Sequence, residues 1–92
     1  ADNEPPMKGI GLIREVAEKN PDNAFAQYML GVGSSVSGQW PKAIERFTKV
    51  AELQPDNLEV LLRLADISER TGDKAAAKKW YQQLLQTIKR QE

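Results

Sequence analysis

The sequence predicts an all-α fold, an α-solenoid of antiparallel helical hairpins with five helices. Three observations carry that expectation. The triplet Pro21-Asp22-Asn23 returns 34 residues later as Pro55-Asp56-Asn57, and the same shift sets Leu30 on Leu64, Ser34 on Ser68, Gly38 on Gly72, Ala43 on Ala77 and Phe47 on Tyr81. Apolar residues recur at the three- and four-residue spacing of one helix face. Proline or glycine stands at each expected boundary. A fixed period of this length describes stacked hairpins, each burying its apolar face against the next.

The elements follow in order. Residues 1–6, ending in Pro5-Pro6, read as a flexible polar tail. From Met7 a first helix carries Ile10, Ile13, Val16 and Ala17 as its stripe and stops near Asn20, because Pro21 disfavours helical geometry in the residue before it. Asp22 and Asn23 are suited to cap a second helix, since their side chains accept from its free backbone N–H groups. That helix runs to about Ser37 with Ala26, Leu30, Ser34 and Ser37 along one side. Gly38 closes it, and Pro41 suits the first turn of a third helix whose buried stripe is Ala43, Phe47, Val50 and Ala51. Pro55 ends the third helix, and Asp56-Asn57 start a fourth with Leu61, Leu64, Ala65 and Ser68 at core spacing. Gly72 stops the fourth, Asp73 caps a fifth, and Ala77, Tyr81, Leu84 and Ile88 carry it onward.

The second helix is poor in helix formers. Each of Gly31 and Gly33 costs about 1 kcal/mol relative to alanine. Gly31 has a reason, in that the missing side chain lets the two helices of a hairpin approach closely. Gly33 has none in the sequence. Neither Gly31-x-Gly33 nor Gly9-Ile10-Gly11 reads as a phosphate loop, because no strand precedes them and no third glycine follows at the required spacing.

Composition narrows the chemistry. The 92 residues make one small domain with a modest core. Thirteen basic side chains balance thirteen acidic ones. Residues 1–69 hold 11 acids and 7 bases, and residues 70–92 hold 2 acids and 6 bases, so the surplus of bases is concentrated toward the last helix. Its Lys74, Lys78, Lys79, Lys89 and Arg90 lie near Trp80 and Tyr81, a pattern that can bind single-stranded nucleic acid. Zero net charge argues against that role. With no cysteine and no histidine there is no thiol nucleophile, disulfide or imidazole base, and Ser34, Ser35 and Ser68 lack an activating histidine. The sequence therefore predicts no enzyme, no cofactor and no metal. Glu59, Arg63, Asp66 and Arg70 alternate at four- and three-residue spacing, as in a solvated ladder of ion pairs. No apolar run reaches the roughly 20 residues of a membrane span, so membrane insertion is not expected. The first residue is Ala1 rather than methionine, as in a processed product or an excised segment.

With these residues in place the chain resembles the tetratricopeptide repeat family, whose unit is a 34-residue helix–turn–helix. The signature positions of a first full unit carry Leu30, Gly31, Ala43, Phe47 and Pro55, and those of a second carry Leu61, Leu64, Ala65, Ala77, Tyr81 and Leu84. Gly9, Ile13, Val16 and Pro21 match the second half of a preceding unit. The resemblance thus implies about two and a half repeats over residues 7–92: a half repeat at 7–20, a full repeat at 23–54 and another at 57–90. Gln27 departs from the family's usual bulky residue, Ser34 and Ser68 from its tyrosine, and Lys89 from its closing proline.

In this family the first helix of each hairpin lines a concave groove that takes extended or helical peptides. Carried over by position, the groove residues are Phe25, Tyr28, Val32 and Ser35 with Glu59, Leu62, Arg63, Asp66 and Glu69. Relatives that bind chaperone C-termini use asparagines and lysines at such positions, and of the matching residues only Arg63 fits that role. The resemblance implies a non-enzymatic scaffold or adaptor that binds a peptide or helix of another protein, with apolar residues and a basic flank. The alternative is a structural homo-oligomer that uses unfinished apolar ends, with Trp80, Leu84, Leu85 and Ile88 as contact residues. Similar short units occur in bacterial envelope and assembly factors, attached to a membrane anchor. A soluble location in the envelope, the periplasm or the cytoplasm is compatible with the chain.

Overall fold

The computed structural model describes residues 7–92 and consists of five helices in sequence: α1 (Met7–Lys19), α2 (Ala24–Val36), α3 (Trp40–Leu53), α4 (Leu58–Arg70) and α5 (Lys74–Gln91). The expected tail at residues 1–6 lies outside the described residues. Helices α2 and α3 pack most closely, as do α4 and α5, while α1 on α2 and α3 on α4 are the looser joints between hairpins. The array measures 39 × 26 × 21 Å.

The boundaries follow from local chemistry. Asn23 Oδ1 accepts from the Ala26 amide, and Asn57 Oδ1 accepts from the Val60 amide, both at 3.0 Å. Asp73 Oδ1 caps α5 in the same way through Ala76. Gln39, before α3, makes no side-chain cap, and Pro41 supplies the preset first turn instead. Gly38 and Gly72 end α2 and α4 with φ of 73° and 84°, a region in which a Cβ would meet the backbone.

The main core joins α3, α4 and α5 through Ala43, Phe47, Val50, Leu61, Leu64 and Trp80, with their neighbours. A smaller cluster of Ala17, Ala26 and Leu30, flanked by Ile13, ties α1 to α2. Three stripes differ from expectation. Val16 is 39 % exposed, because no other described helix covers that side of α1. Ser34 is only half-buried and Ser37 is exposed, where a hollow opens beside α2. On α5 the buried residues are Ala77, Trp80 and Thr87 instead of Ala77, Tyr81, Leu84 and Ile88. Tyr81 and Leu84 are half-buried and Ile88 is exposed. Residues 77, 80, 84 and 87 also repeat at helical spacing, so a rotation of the helix by a fraction of a turn selects one stripe over the other.

Gly31 and Gly33 answer to opposite pressures. A methyl group at Gly31 would meet Phe47 Cε1 at 2.6 Å, whereas one at Gly33 would find nothing within 4 Å among the described residues. Gly31→Ala is therefore expected to lower stability, since about 1–3 kcal/mol of overpacking outweighs the helix-propensity gain. Gly33→Ala is expected to raise stability by up to about 1 kcal/mol. Urea midpoints of the two variants, measured side by side, check this opposite pair of signs.

Candidate functional site

The residues expected to line the groove sit on α2 and α4, and the structure brings part of that set together. Phe25 lies in the first turn of α2 with 69 % of its surface exposed, and Leu62 on α4 is 51 % exposed. Tyr28 and Val32 are half-buried and pack against the main core. Tyr28 stands 5.6 Å from the Phe47 ring, centroid to centroid, at a tilt of 53°. Its hydroxyl donates to Glu59 Oε1 at 2.9 Å, linking α2 to α4. A shallow hollow of about 210 Å³ lies here, lined by Phe25, Tyr28, Val50, Gln54 and Glu59 among others.

Arg63 lies over this joint. Its guanidinium carbon is 5.4 Å from the Tyr28 centroid and 5.9 Å from that of Phe47. A cation over aromatic faces is favourable, more so where water is partly excluded. Arg63 also pairs with Glu59 at 3.6 Å, one α-helical turn away. Its Nε is buried without a hydrogen-bond partner among the described residues, as follows when the group is laid over two rings. The centre of the expected groove is therefore a bonded cluster of Tyr28, Glu59 and Arg63.

The remaining acids are also engaged. Asp66 pairs with Arg70 at 3.0 Å, and Glu69 Oε2 accepts from the Tyr81 hydroxyl at 2.8 Å. The Glu59–Arg63 and Asp66–Arg70 pairs form the exposed ladder read from the spacing. Such exposed pairs contribute only tenths of a kcal/mol. Sequence reasoning missed Val50 as part of the floor. Burial, followed by the hydrogen bond to Glu59, pushes the Tyr28 phenol above its ordinary value, with Arg63 opposing. The bond to Glu69, followed by burial, raises Tyr81 in the same direction.

Trp80, expected as a contact between copies, packs inside its own chain. It is 8 % exposed within the main core of its own chain, with Lys79 Nζ 4.7 Å above its ring. Leu84 is half-buried, so the exposed apolar residues of α5 are Leu85 at 59 % and Ile88 at 38 %. Among the described residues, no group of three or more acidic side chains converges as a metal site would require, and no helix is long and apolar enough to cross a membrane.

A second, larger hollow was not foreseen. It measures about 430 Å³ and opens on another side of α2, between α1 and α3, with Ile10, Ile13, Met29, Gly33, Ser34 and Arg46 among its lining residues. At its edge Gln27 is buried, donating through Nε2 to the Pro21 carbonyl and accepting from Arg46 Nη1, both at 3.0 Å. Thirty-four residues on, the same two positions carry Leu61 and Trp80, both buried. The Gln27–Arg46 pair is thus a polar replacement for an apolar one. The repeat alignment held the signal, in the paired departure of positions 27 and 46.

The comparisons agree with this architecture. The profile of the family described as Tetratricopeptide repeat matches residues 37–91, more than half of the chain. The solved structure of a MamA RS-1 ArsTM double mutant is similar with a TM-score of 0.84 and 23 % identity, over 91 % of this chain and 47 % of that one. At that identity the likeness concerns the fold alone, and this chain spans about half the length of that relative. No curated protein matches the chain in sequence.

Both tyrosines should remain protonated donors beyond the ordinary pKa of 10.0. A phenol pKa raised by folding adds stability that is complete below the unfolded value and disappears as pH rises through the folded one. Carbon NMR of the labelled tyrosine Cζ atoms should show both titrations above 10.0. Glu69→Gln should return Tyr81 toward its ordinary value and leave Tyr28 raised.

Proposed function

The chain belongs to the tetratricopeptide repeat family, a family of protein–protein interaction modules, and from that premise we propose a non-enzymatic adaptor that holds a peptide or helix of a partner protein along α2 and α4. The observation that carries the reading is the exposure of Phe25 and Leu62, two large apolar side chains on the helices that line the groove in relatives. Aromatic and aliphatic anchors in a concavity supply most binding energy, and charges around them select the partner.

Tyr28, Glu59 and Arg63 act in this proposal as the fixed wall between the two anchors, because they are bonded to one another across the helices. Val32 continues the apolar side, and Asp66 and Glu69 the acidic one. Three acids against Arg63 and Arg70 leave the strip slightly negative, which favours a ligand with apolar residues and a basic flank. Self-association remains the second reading, favoured by the exposed Leu85 and Ile88 of α5. Sedimentation of wild type and Leu85→Ser/Ile88→Ser tests it, and a concentration-independent monomer overturns it.

The groove reading is tested by selecting peptides from a displayed random library and measuring their affinity for wild type and for Phe25→Ala/Leu62→Ala. The expected outcome is an apolar anchor with lysine or arginine beside it, about tenfold or greater loss in the double variant, and an unchanged thermal midpoint. Equal affinity for the two proteins, or ligands without a basic flank, would count against the groove as drawn.

A further inference from the structure

The larger hollow differs from the groove in position, charge and origin. Its wall on α2 is Met29, Leu30, Gly33 and Ser34, with Ser37 just past the helix end, whereas Phe25 and Tyr28 line the other hollow. The second repeat shows what this region looks like when the chain fills it. Thirty-four residues from Gly33 is Ile67, 4 % exposed; from Arg46, Trp80; and from Ile13, Phe47, fully buried. Gly33 and Arg46 of the first repeat thus stand where two bulky apolar side chains stand in the second, while Phe47 supplies there the wall that the smaller Ile13 of the half repeat supplies here.

Gly33 is the informative residue. It weakens α2, yet a Cβ there would touch nothing among the described residues, so no close approach between them explains the missing side chain. The rim adds a second observation. Arg14, Lys42 and Arg46 surround the opening against Glu45, and Arg14 and Lys42 make no ion pair among the described residues. Arg46 is held in place by Gln27. At about 430 Å³ the hollow falls within the range of ligand sites.

We propose that this hollow is a second docking site, which receives an aromatic side chain flanked by acidic residues on a partner protein. The aromatic takes the place that Trp80 takes in the second repeat, and the acidic flank pairs with Arg14 and Lys42. The opposite charge preferences of the two sites would let the module hold two different partner segments at once.

The test uses the full chain, amide NMR and three probes: acetyl-Glu-Glu-Trp-Glu-Glu-amide, its lysine-flanked counterpart, and the acidic peptide with alanine in place of tryptophan. The acidic tryptophan peptide should shift the signals of Gly33, Ser34 and Ser37. It should bind about tenfold or more tightly than the other two. Gly33→Ile, which installs the residue of the second repeat, should weaken it at least as much, while Phe25→Ala/Leu62→Ala leaves it unchanged. Should Gly33→Ile not fold, Arg14→Glu/Lys42→Glu serves instead and should reverse the preference toward the lysine-flanked peptide. The proposal is overturned by no binding, by equal binding of both charges, by shifts confined to the Phe25 side, or by variants without effect. It is also overturned if the Gly33 signal moves on dilution of the protein alone, which would identify a second copy as occupant. A chain starting at Met7 that binds the probe tenfold more tightly would do the same, assigning the hollow to the acidic residues 1–6.

Discussion

Phe47 can be fully buried only because Gly31 has no side chain. The ring occupies the space a Cβ at Gly31 would need, and this sets how closely α2 and α3 approach. Its other sides support Tyr28 at 5.6 Å and the Arg63 guanidinium at 5.9 Å, so the same ring carries the joint between α2 and α4. The close packing of one hairpin and the polar cluster at the centre of the candidate groove thus depend on one glycine–aromatic contact. A shift of the ring would be felt in both, because protein interiors pack too densely to absorb it locally.

The two full repeats fold alike but are filled differently. In the second, Leu61, Ile67 and Trp80 are buried together in an apolar cluster. In the first, Gln27 and Arg46 form a hydrogen-bonded pair, and Gly33 leaves open space beside it. Repeat arrays allow this because each unit is stabilised mainly by its nearest neighbours. A well-filled repeat can therefore support a poorly filled one, and α2 is left with two sides that the described residues do not cover.

Much of the fold was legible in the sequence because short-range chemistry specifies it. The 34-residue shift, the Asn23 and Asn57 caps and the positive-φ Gly38 and Gly72 are each decided within a few residues. The candidate site was less legible. The family resemblance, carried over by position, pointed to Phe25, Tyr28, Glu59 and Leu62, yet whether a tyrosine hydroxyl meets solvent or Glu59 depends on how α2 and α4 are juxtaposed. The larger hollow was hidden for a related reason, since an empty volume belongs to three helices and no single residue announces it.

The helix count, the turns, the repeat and the absence of thiol and imidazole chemistry were determined by sequence alone, because each rests on residue type or on spacing along the chain. Tertiary structure decided which of two equally periodic stripes on α5 is buried. It put Trp80 and Thr87 inside and left Leu85 and Ile88 outside. The physical reason is that helical periodicity defines the angles between side chains on one helix but not the rotation of that helix about its axis. The rotation is set by the neighbours, here chiefly α4, the helix against which α5 packs most closely.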